Sequence, residues 1–275
     1  MKRLIALTLC CLYVGASAQH AGWLTNLDLA KALAHENNKL ILVDFWATWC
    51  GPCKMMDADV WNTGEAAKIK TRFIPVKIDI DMEKALASNY NVRAIPMLIL
   101  MDFNGEIIHT YNGYKGKEDL IRFISNIPEN ATDLYKTLPS GTDSDDIADL
   151  ETARALGLAM QQLSLETSYS PLQRSFLGES DKWFKKSGKL AKDEVELAEI
   201  ELLSVLNKVY WSSNGKKAIK ELNETSARYE NTPNESLLYY VFAQAYKRNE
   251  DTANYEVYLG KLKAREDGER YVSKL

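Results

Sequence analysis

Continuous apolar runs of strand length recur through residues 25–127 of the chain. The first of them lacks the alternation of polar and apolar positions that marks a strand with one face in water, so we predict a strand buried on both faces of a sheet there and a second buried strand at the next run. These runs are KLILVDFW at 39–46, FIPVKIDID at 73–81 and PMLILM at 96–101. An Asn-Gly turn follows the third run and leads into EIIHTY at 106–111, which predicts a hairpin.

Amphipathic stretches of helical spacing separate these strands. We predict helices at 28–35, from residue 50 onward, and at 65–72, 82–90 and 117–127. Strands that alternate with helices and end in a hairpin predict an α/β fold with a mixed central sheet flanked by helices.

The pattern changes after residue 127, where PENATDLYKTLPSGTDSDD is rich in Pro, Ser, Thr, Gly and Asp. We place a linker at 129–148 and a mostly α-helical domain at 149–275, because the later apolar positions recur every three or four residues. One such stripe comprises Val195, Ala198, Leu202, Val205, Leu206 and Val209. Residues 235–265 predict two helices and resemble one tetratricopeptide hairpin, without a clear repeat of fixed period.

The first residues, MKRLIALTLCCLYVGASA, combine a basic start, an apolar run and a small-residue cleavage site. This is the layout of a secretory signal peptide, so we predict that residues 1–18 are removed and that the sheet domain occupies 19–128. The protein is then expected in the periplasm or another extracytoplasmic compartment. A retained anchor is disfavoured because the apolar run is shorter than the roughly 20 residues that span a bilayer. Leu9 disfavours lipid attachment at Cys10, since lipoprotein signals place a small side chain there.

The net charge of −4 and the pI near 5.6 bear on the partners of the protein. A chain without a basic excess cannot neutralise many phosphates, so nucleic acid is excluded as the main partner. The acidic excess is typical of a solvated surface.

Removal of the signal peptide would leave Cys50 and Cys53 as the cysteines of the mature chain. Exported domains stapled by disulfides usually carry more cysteines at longer spacings, and a loop this short adds little stability. Zinc takes more ligands than two cysteines supply, and the histidines show no paired ligand spacing. A c-type haem needs His directly after the second cysteine, where Lys54 stands. We therefore predict no metal and no cofactor beyond a redox-active disulfide.

A Cys-x-x-Cys pair at the start of a helix has a direct chemical meaning. Free backbone N–H groups and the helix dipole favour an anion at Cys50, which predicts a thiolate that attacks disulfides. Cys53, one turn later, can resolve the resulting mixed disulfide by attacking Cys50. Pro52 suits the first turn of a helix, and Gly51 admits a substrate backbone.

The segments VDFWATWCGPCK at 43–54 and VRAIPMLIL at 92–100 together resemble the thioredoxin family. The resemblance covers about residues 25–127. It implies that Cys50 is the attacking nucleophile and that Cys53 is the buried resolving thiol.

Two charged residues belong to the same resemblance. Asp44 matches the buried acid that helps to deprotonate Cys53, and a carboxylate inside an apolar strand has a raised pKa suited to that work. Lys77 matches the lysine that partners this acid. The alternatives are an inert buried polar group at Asp44 and a surface charge at Lys77.

The resemblance also implies a substrate-binding face. Its residues are Trp49, Gly51, Pro52, Ile95, Pro96 and Gly113. Ile95 and Pro96 match the loop that faces the cysteines, where the proline is cis and the preceding backbone pairs with an extended substrate; an ordinary trans proline is the alternative. Trp49 would cover the substrate, and Gly113 fits the glycine of the substrate groove.

Three departures from the family pattern leave the substrate open. Met97 stands where thioredoxins commonly have Thr, the helix after Cys53 lacks the bending proline, and the amino-terminal strand is not evident. The pattern looks more like exported thioredoxin-like domains related to the periplasmic electron-shuttling reductases.

Gly-Pro between the cysteines and Ile before the proline accompany strongly reducing members of the family. We therefore predict an exported reductase of disulfide-containing protein substrates, which requires a membrane-embedded electron donor. One alternative is a disulfide oxidase or isomerase in the same compartment. The other is a non-catalytic docking module whose helical domain binds a protein partner.

Overall fold

The structure is a computed structural model, and it describes residues 22–131, 147–212 and 215–275. The predicted signal peptide at 1–18, with Cys10, and most of the predicted linker at 129–148 lie outside these residues and remain predictions. Within the described ranges, no helix is long and apolar enough to cross a membrane.

A four-stranded mixed sheet forms the first part of the fold. Its strands are β1 (Ile41–Trp46), β2 (Ile74–Asp79), β3 (Met97–Met101) and β4 (Ile107–Asn112). They lie in the order β2-β1-β3-β4, with β1 parallel to β2 and antiparallel to β3, and with β3 antiparallel to β4. The predicted strands, hairpin and mixed sheet are confirmed.

Burial explains why the strands carry continuous apolar runs. Every side chain of β3 is buried, and in β1 only Trp46 is partly exposed. Both strands occupy the centre of the sheet, where neither face is open to water. The carboxylate of Asp44, in the middle of β1, therefore lies in an apolar interior.

Helices precede, separate and follow the strands at the predicted positions. They are α1 (Leu27–Asn37), α2 (Gly51–Met56), α3 (Gly64–Ile69), α4 (Lys84–Asn89) and α5 (Lys117–Ser125). A π-helical turn, Asp57–Trp61, continues α2, and a 3₁₀ turn, Lys70–Arg72, continues α3. Polar caps set the limits of α1: Asn26 Oδ1 accepts the Leu29 N–H at 2.8 Å, and Asn38 follows the helix in the left-handed conformation.

The departures from the family pattern have structural counterparts. Where the bending proline is absent after Cys53, the helix widens into the π-helical turn, a feature frequent at functional sites. The missing amino-terminal strand is reduced to one bridge between Leu24 and Val76. Around this bridge, the Leu24 N–H donates to Pro75 O at 3.0 Å and the Lys77 N–H donates to Leu24 O at 2.8 Å.

The second part of the fold is helical, as predicted. Its helices are α6 (Leu150–Leu165), α7 (Ser170–Leu190), α8 (Glu194–Trp211), α9 (Lys216–Thr225), α10 (Glu235–Arg248), α11 (Thr252–Lys263) and α12 (Glu269–Val272). Consecutive helices pack against each other, and α8 also packs against α10. The tetratricopeptide-like character of this region stays a prediction.

Most of the predicted apolar stripe on α8 is buried. The buried members are Ala198, Leu202, Val205, Leu206 and Val209. The assignment of Val195 to this stripe is wrong, because its side chain is 42% exposed. Residues 192–194 before it are also exposed, so the stripe begins one turn later, where α8 meets its neighbours.

The core under the sheet extends across the predicted domain boundary. Side chains of α6 and α7 share one hydrophobic cluster with β1 and β3, among them Ala153, Leu156, Met160, Leu163, Leu172 and Phe176. The Tyr169 ring packs against Phe123 at 5.8 Å between centroids, and His109 Nδ1 lies 2.7 Å from Ser175 Oγ. The first helical pair therefore supports the sheet, while a second core joins α7 to the later helices.

Candidate active site

The cysteine pair lies at the start of α2. Cys50 directly precedes the helix, and its Sγ accepts the Cys53 N–H at 3.1 Å. A disulfide joins the two residues. Both cysteines are buried, whereas Gly51 and Pro52 between them are exposed. A partner can therefore approach from the Gly51–Pro52 side, and the pair can alternate between disulfide and dithiol.

Trp49 presents an aromatic surface beside the pair. Its side chain is 64% exposed, and its indole N–H donates to Asp81 Oδ2 at 2.8 Å. Asp81, in the loop after β2, thus fixes the ring at the surface. Sequence reasoning missed Asp81, although the two aspartates that end the β2 segment, Asp79 and Asp81, are a signal for a turn at this edge of the sheet.

The loop before β3 lies against the cysteines. The Ile95–Pro96 peptide bond is cis, which is the form that the family resemblance implies. Ile95 packs against the cluster that contains Cys50 and Cys53. The Gly113 N–H donates to Pro96 O at 2.9 Å, and Gly113 has a φ of +70°, a conformation that favours glycine. The structure thus brings the loop to the cysteine pair and links Gly113 to it.

Asp44 is a buried carboxylate without a hydrogen bond. Its side chain has no exposed surface, and neither Oδ1 nor Oδ2 accepts a hydrogen bond. Lys77 Nζ lies 3.3 Å from Asp44 Oδ2, as an ion pair. Burial raises the pKa of Asp44 to about 6, against the opposing effect of the Lys77 ammonium. A carboxylate with this pKa can accept a proton near neutral pH.

Lys77 makes its shorter contact with a residue that sequence reasoning missed. Its Nζ donates to Asp57 Oδ1 at 2.5 Å. Asp57 is buried in the π-helical turn, one helical turn after Cys53. The missed signal was its spacing: Cys53, Met56 and Val60 form the buried face of this helix, and Asp57 lies on it.

Indole rings surround the ammonium of Lys77. Its Nζ lies 5.5 Å from the ring centroid of Trp23 and 5.2 Å from that of Trp46. Trp61, from the π-helical turn, packs edge-to-face on Trp23 at 4.9 Å. These rings exclude water and still offer the cation their negative faces, so Lys77 is not the surface charge of the alternative interpretation.

In the part of the chain that the structure describes, no group of His, Cys, Asp and Glu could hold a metal ion. His35 packs on Phe103 and His109 contacts Ser175, in separate places.

A second concave site lies in the helical region. This cleft, of about 460 Å³, is lined by α6, α8, α10 and α12 together with Lys274. Leu203, Leu206 and Leu237 form a buried apolar floor, while Leu158 and Leu165 on one wall are exposed.

Comparison with known proteins assigns the first part of the chain. A family model described as Thioredoxin matches residues 23–126. A thioredoxin of Mycobacterium tuberculosis (strain ATCC 25618 / H37Rv) is 40% identical over 94 residues, which are 34% of this chain and 78% of the relative. A thioredoxin of Bacillus subtilis (strain 168) is 36% identical over 92 residues, which are 34% of this chain and 86% of the relative.

The chain is also similar to a solved structure. The crystal structure of a thioredoxin from Nicotiana alata has 32% sequence identity, covers 42% of this chain and 99% of its own, and has a TM-score of 0.35. The family match ends at residue 126, before the helical region begins.

Proposed function

The chain belongs to the thioredoxin family and is a thiol-disulfide oxidoreductase, and we propose that it reduces disulfide bonds of substrate proteins. The proposed direction of electron transfer, from this protein to the substrate, is supported by the Gly51–Pro52 pair. This pair places no charged side chain between the cysteines. A cation there would stabilise the thiolate and hence the reduced form, which makes a stronger oxidant.

The exchange proceeds in two steps. The Cys50 thiolate attacks one sulfur of the substrate disulfide, whose S–S bond breaks as a mixed disulfide forms; the leaving thiolate takes a proton from solvent. Cys53 then gives its thiol proton to the Asp44 carboxylate and attacks Cys50 Sγ. The second substrate thiolate leaves and takes the proton from Asp44. Two electrons have then passed from the protein to the substrate, and Cys50 and Cys53 are joined.

Insulin disulfide reduction tests the proposal. The reduced protein is expected to accelerate the reaction above dithiothreitol alone, and Cys50→Ser is expected to return the rate to that background because the nucleophile is lost. Asp59→Asn is a suitable control, since Asp59 is exposed in the same π-helical turn. If the reduced wild-type protein gives no acceleration, the proposed reductase function is wrong.

We further propose that the protein works outside the cytoplasm and receives electrons from a membrane-embedded donor. The signal-like residues 1–18 support export, and a reductase in an oxidising compartment needs a supply of electrons. Cys53→Ser in cells should retain partners as mixed disulfides with Cys50. Capture of a membrane thiol carrier agrees with this proposal, whereas capture of folding proteins alone favours an oxidase or isomerase.

For the helical cleft, we propose an extended peptide that carries apolar side chains and a carboxylate. Glu199 on one wall of the cleft is already neutralised by Arg154, whose Nη1 lies 2.5 Å from Glu199 Oε2. Arg270 lies 3.7 Å from its nearest acid, and Lys274 pairs with no carboxylate among the residues that the structure describes. The cleft thus offers an apolar floor and two lining cations, Arg270 and Lys274. Short Leu-rich peptides with Glu should bind better than their Gln counterparts, and Lys274→Glu should remove this preference while Lys263→Glu keeps it.

A further inference from the structure

The ammonium of Lys77 contacts two buried carboxylates in the active site, those of Asp57 and Asp44. Lys77 Nζ donates a hydrogen bond to Asp57 Oδ1 at 2.5 Å, and it lies 3.3 Å from Asp44 Oδ2 without a hydrogen bond to either Asp44 oxygen. All three side chains are buried. The cluster therefore has one more acid than it has bases, and the single base is bonded to the acid that the family resemblance does not assign.

The π-helical turn places Asp57 at this position. Its backbone N–H bonds to Cys53 O and Lys54 O, so the residue is tied to the turn that carries the resolving cysteine. Met56 and Val60 beside it are fully buried, which orients this face of the helix toward the sheet.

We propose that Asp57 is a positioning residue that holds the Lys77 ammonium on its own side of the cluster, so that the Asp44 oxygens stay free to take the Cys53 proton. The inference rests on the proposed function, since it concerns the proton step of the same exchange. Asp57 itself does not touch the reacting sulfur in this role and acts through Lys77.

The charge balance of the cluster supports a positioning role for Asp57 and a proton-accepting role for Asp44. A buried carboxylate that accepts no hydrogen bond from a cation favours its protonated form, and the short hydrogen bond of the Lys77 ammonium goes to Asp57 instead of Asp44. The charge of Asp57 adds to the effect of burial in raising the pKa of Asp44. The other cation facing the cluster, Lys70, is engaged elsewhere: its Nζ donates to Trp61 O at 3.1 Å and lies over the Trp23 ring.

The pH dependence of the Cys53 step tests the proposal. Reduced protein is mixed with a dithiobis(nitrobenzoate) probe, and release of the second thionitrobenzoate reports the attack of Cys53 on Cys50. In Asp57→Asn, Lys77 is free to turn to Asp44, so the midpoint of the rate profile should move to lower pH by about 1 unit or more. Asp59→Asn removes the same charge from an exposed residue of the same turn and should leave the midpoint in place.

Two further variants separate positioning from a structural role. Lys77→Gln should move the midpoint to higher pH, opposite to Asp57→Asn, and an Asp44→Asn, Asp57→Asn double variant should show no further effect of the second change. A shift of the same sign in Asp57→Asn and Lys77→Gln, or an unchanged midpoint in a folded Asp57→Asn, would overturn the proposal. If Asp57→Asn does not fold, Lys77→Gln must still raise the midpoint. An inactive wild-type protein would instead contradict the proposed function.

Discussion

Two buried polar clusters of the molecule differ in how their groups are satisfied. In the helical region, Gln161 Nε2 donates to Asn207 Oδ1 at 2.7 Å, and Asn207 Nδ2 donates to Ser180 Oγ at 2.9 Å and Asp181 Oδ1 at 2.7 Å. Ser180 Oγ donates in turn to Gly157 O at 2.7 Å. These bonds fix the positions of α6, α7 and α8 relative to one another.

The active-site cluster is unsatisfied by comparison. Both oxygens of Asp44 and the Nε1 of Trp61 are buried without a hydrogen-bond partner. Asp44 keeps its ion pair with Lys77 at 3.3 Å, but a buried carboxylate that accepts no hydrogen bond costs folding free energy, and such groups are frequent where chemistry uses them. The comparison indicates that the helical network specifies packing and that the Asp44 cluster holds a proton acceptor.

Of the variants considered, Asp44→Asn is expected to change both the exchange rate and the stability the most. Loss of the proton acceptor should slow the Cys53 step by about 100-fold. The pKa of Asp44 is raised in the folded protein, so stability is lost as pH rises from about 4 to about 6 and stays lower above this range. The variant should therefore gain up to about 3 kcal/mol above pH 6 and nothing below pH 4. Thiol-exchange kinetics and urea unfolding measure the two effects.

Asp102 supplies the matched control for Asp44. It is also a buried aspartate whose pKa burial raises to about 6, but its Oδ1 accepts the N–H groups of Asn104, Gly105 and Glu106 in the β3–β4 turn. Asp102→Asn should leave the Cys53 step unchanged. Equal slowing in both variants would mean that the kinetic effect of Asp44 is only structural.

Asn207→Ala tests the hydrogen-bond network of the helical region, which is expected to affect stability and not the exchange rate. It removes the partner of Gln161, Ser180 and Asp181, so we expect a loss of about 2 to 3 kcal/mol of stability. The exchange rate of the folded protein should not change. Gln162→Ala, next to Gln161 but exposed and donating to Glu166 at the surface, should cost far less. Urea unfolding with a parallel insulin assay distinguishes the outcomes.

His109 should give a smaller, pH-dependent effect where the two regions meet. Burial lowers the pKa of His109 to about 4, with a contribution from Lys115. Its stabilising contribution is present above pH 6.5 and is lost as pH falls toward 4, because the unfolded chain takes up the proton first. The stability difference between wild type and His109→Gln should shrink by up to about 3 kcal/mol over this range in urea unfolding. A constant difference would contradict the pKa assignment.

Asp81→Asn should have the smallest effect. It weakens the hydrogen bond that fixes the exposed indole of Trp49, and an exposed bond of this kind contributes little. We expect about a threefold lower kcat/KM for insulin, with stability unchanged. Glu83→Gln, two residues later, changes an exposed acid that makes no cap hydrogen bond, and it tests whether the effect belongs to the indole contact.

The strands and the cysteine motif were predictable because their signals are local. The apolar runs of β1 and β3 and the spacing of Cys50 and Cys53 need no knowledge of distant residues. The contact of Asp57 with Lys77 was not predictable in this way, because Lys77 lies on β2 and the π-helical turn decides which face Asp57 occupies. The packing of α6 and α7 on the sheet core was missed for the same reason, since an amphipathic helix does not reveal which surface it covers.

The pH profile of the Cys53 step in wild type and Asp44→Asn tests directly whether Asp44 is the proton acceptor of Cys53. If Asp44 takes the proton of Cys53, the wild-type rate should rise with a midpoint near the pKa of Asp44, about 6. Asp44→Asn should lack this transition and react more slowly on its alkaline side. Identical profiles in the two proteins would contradict the account.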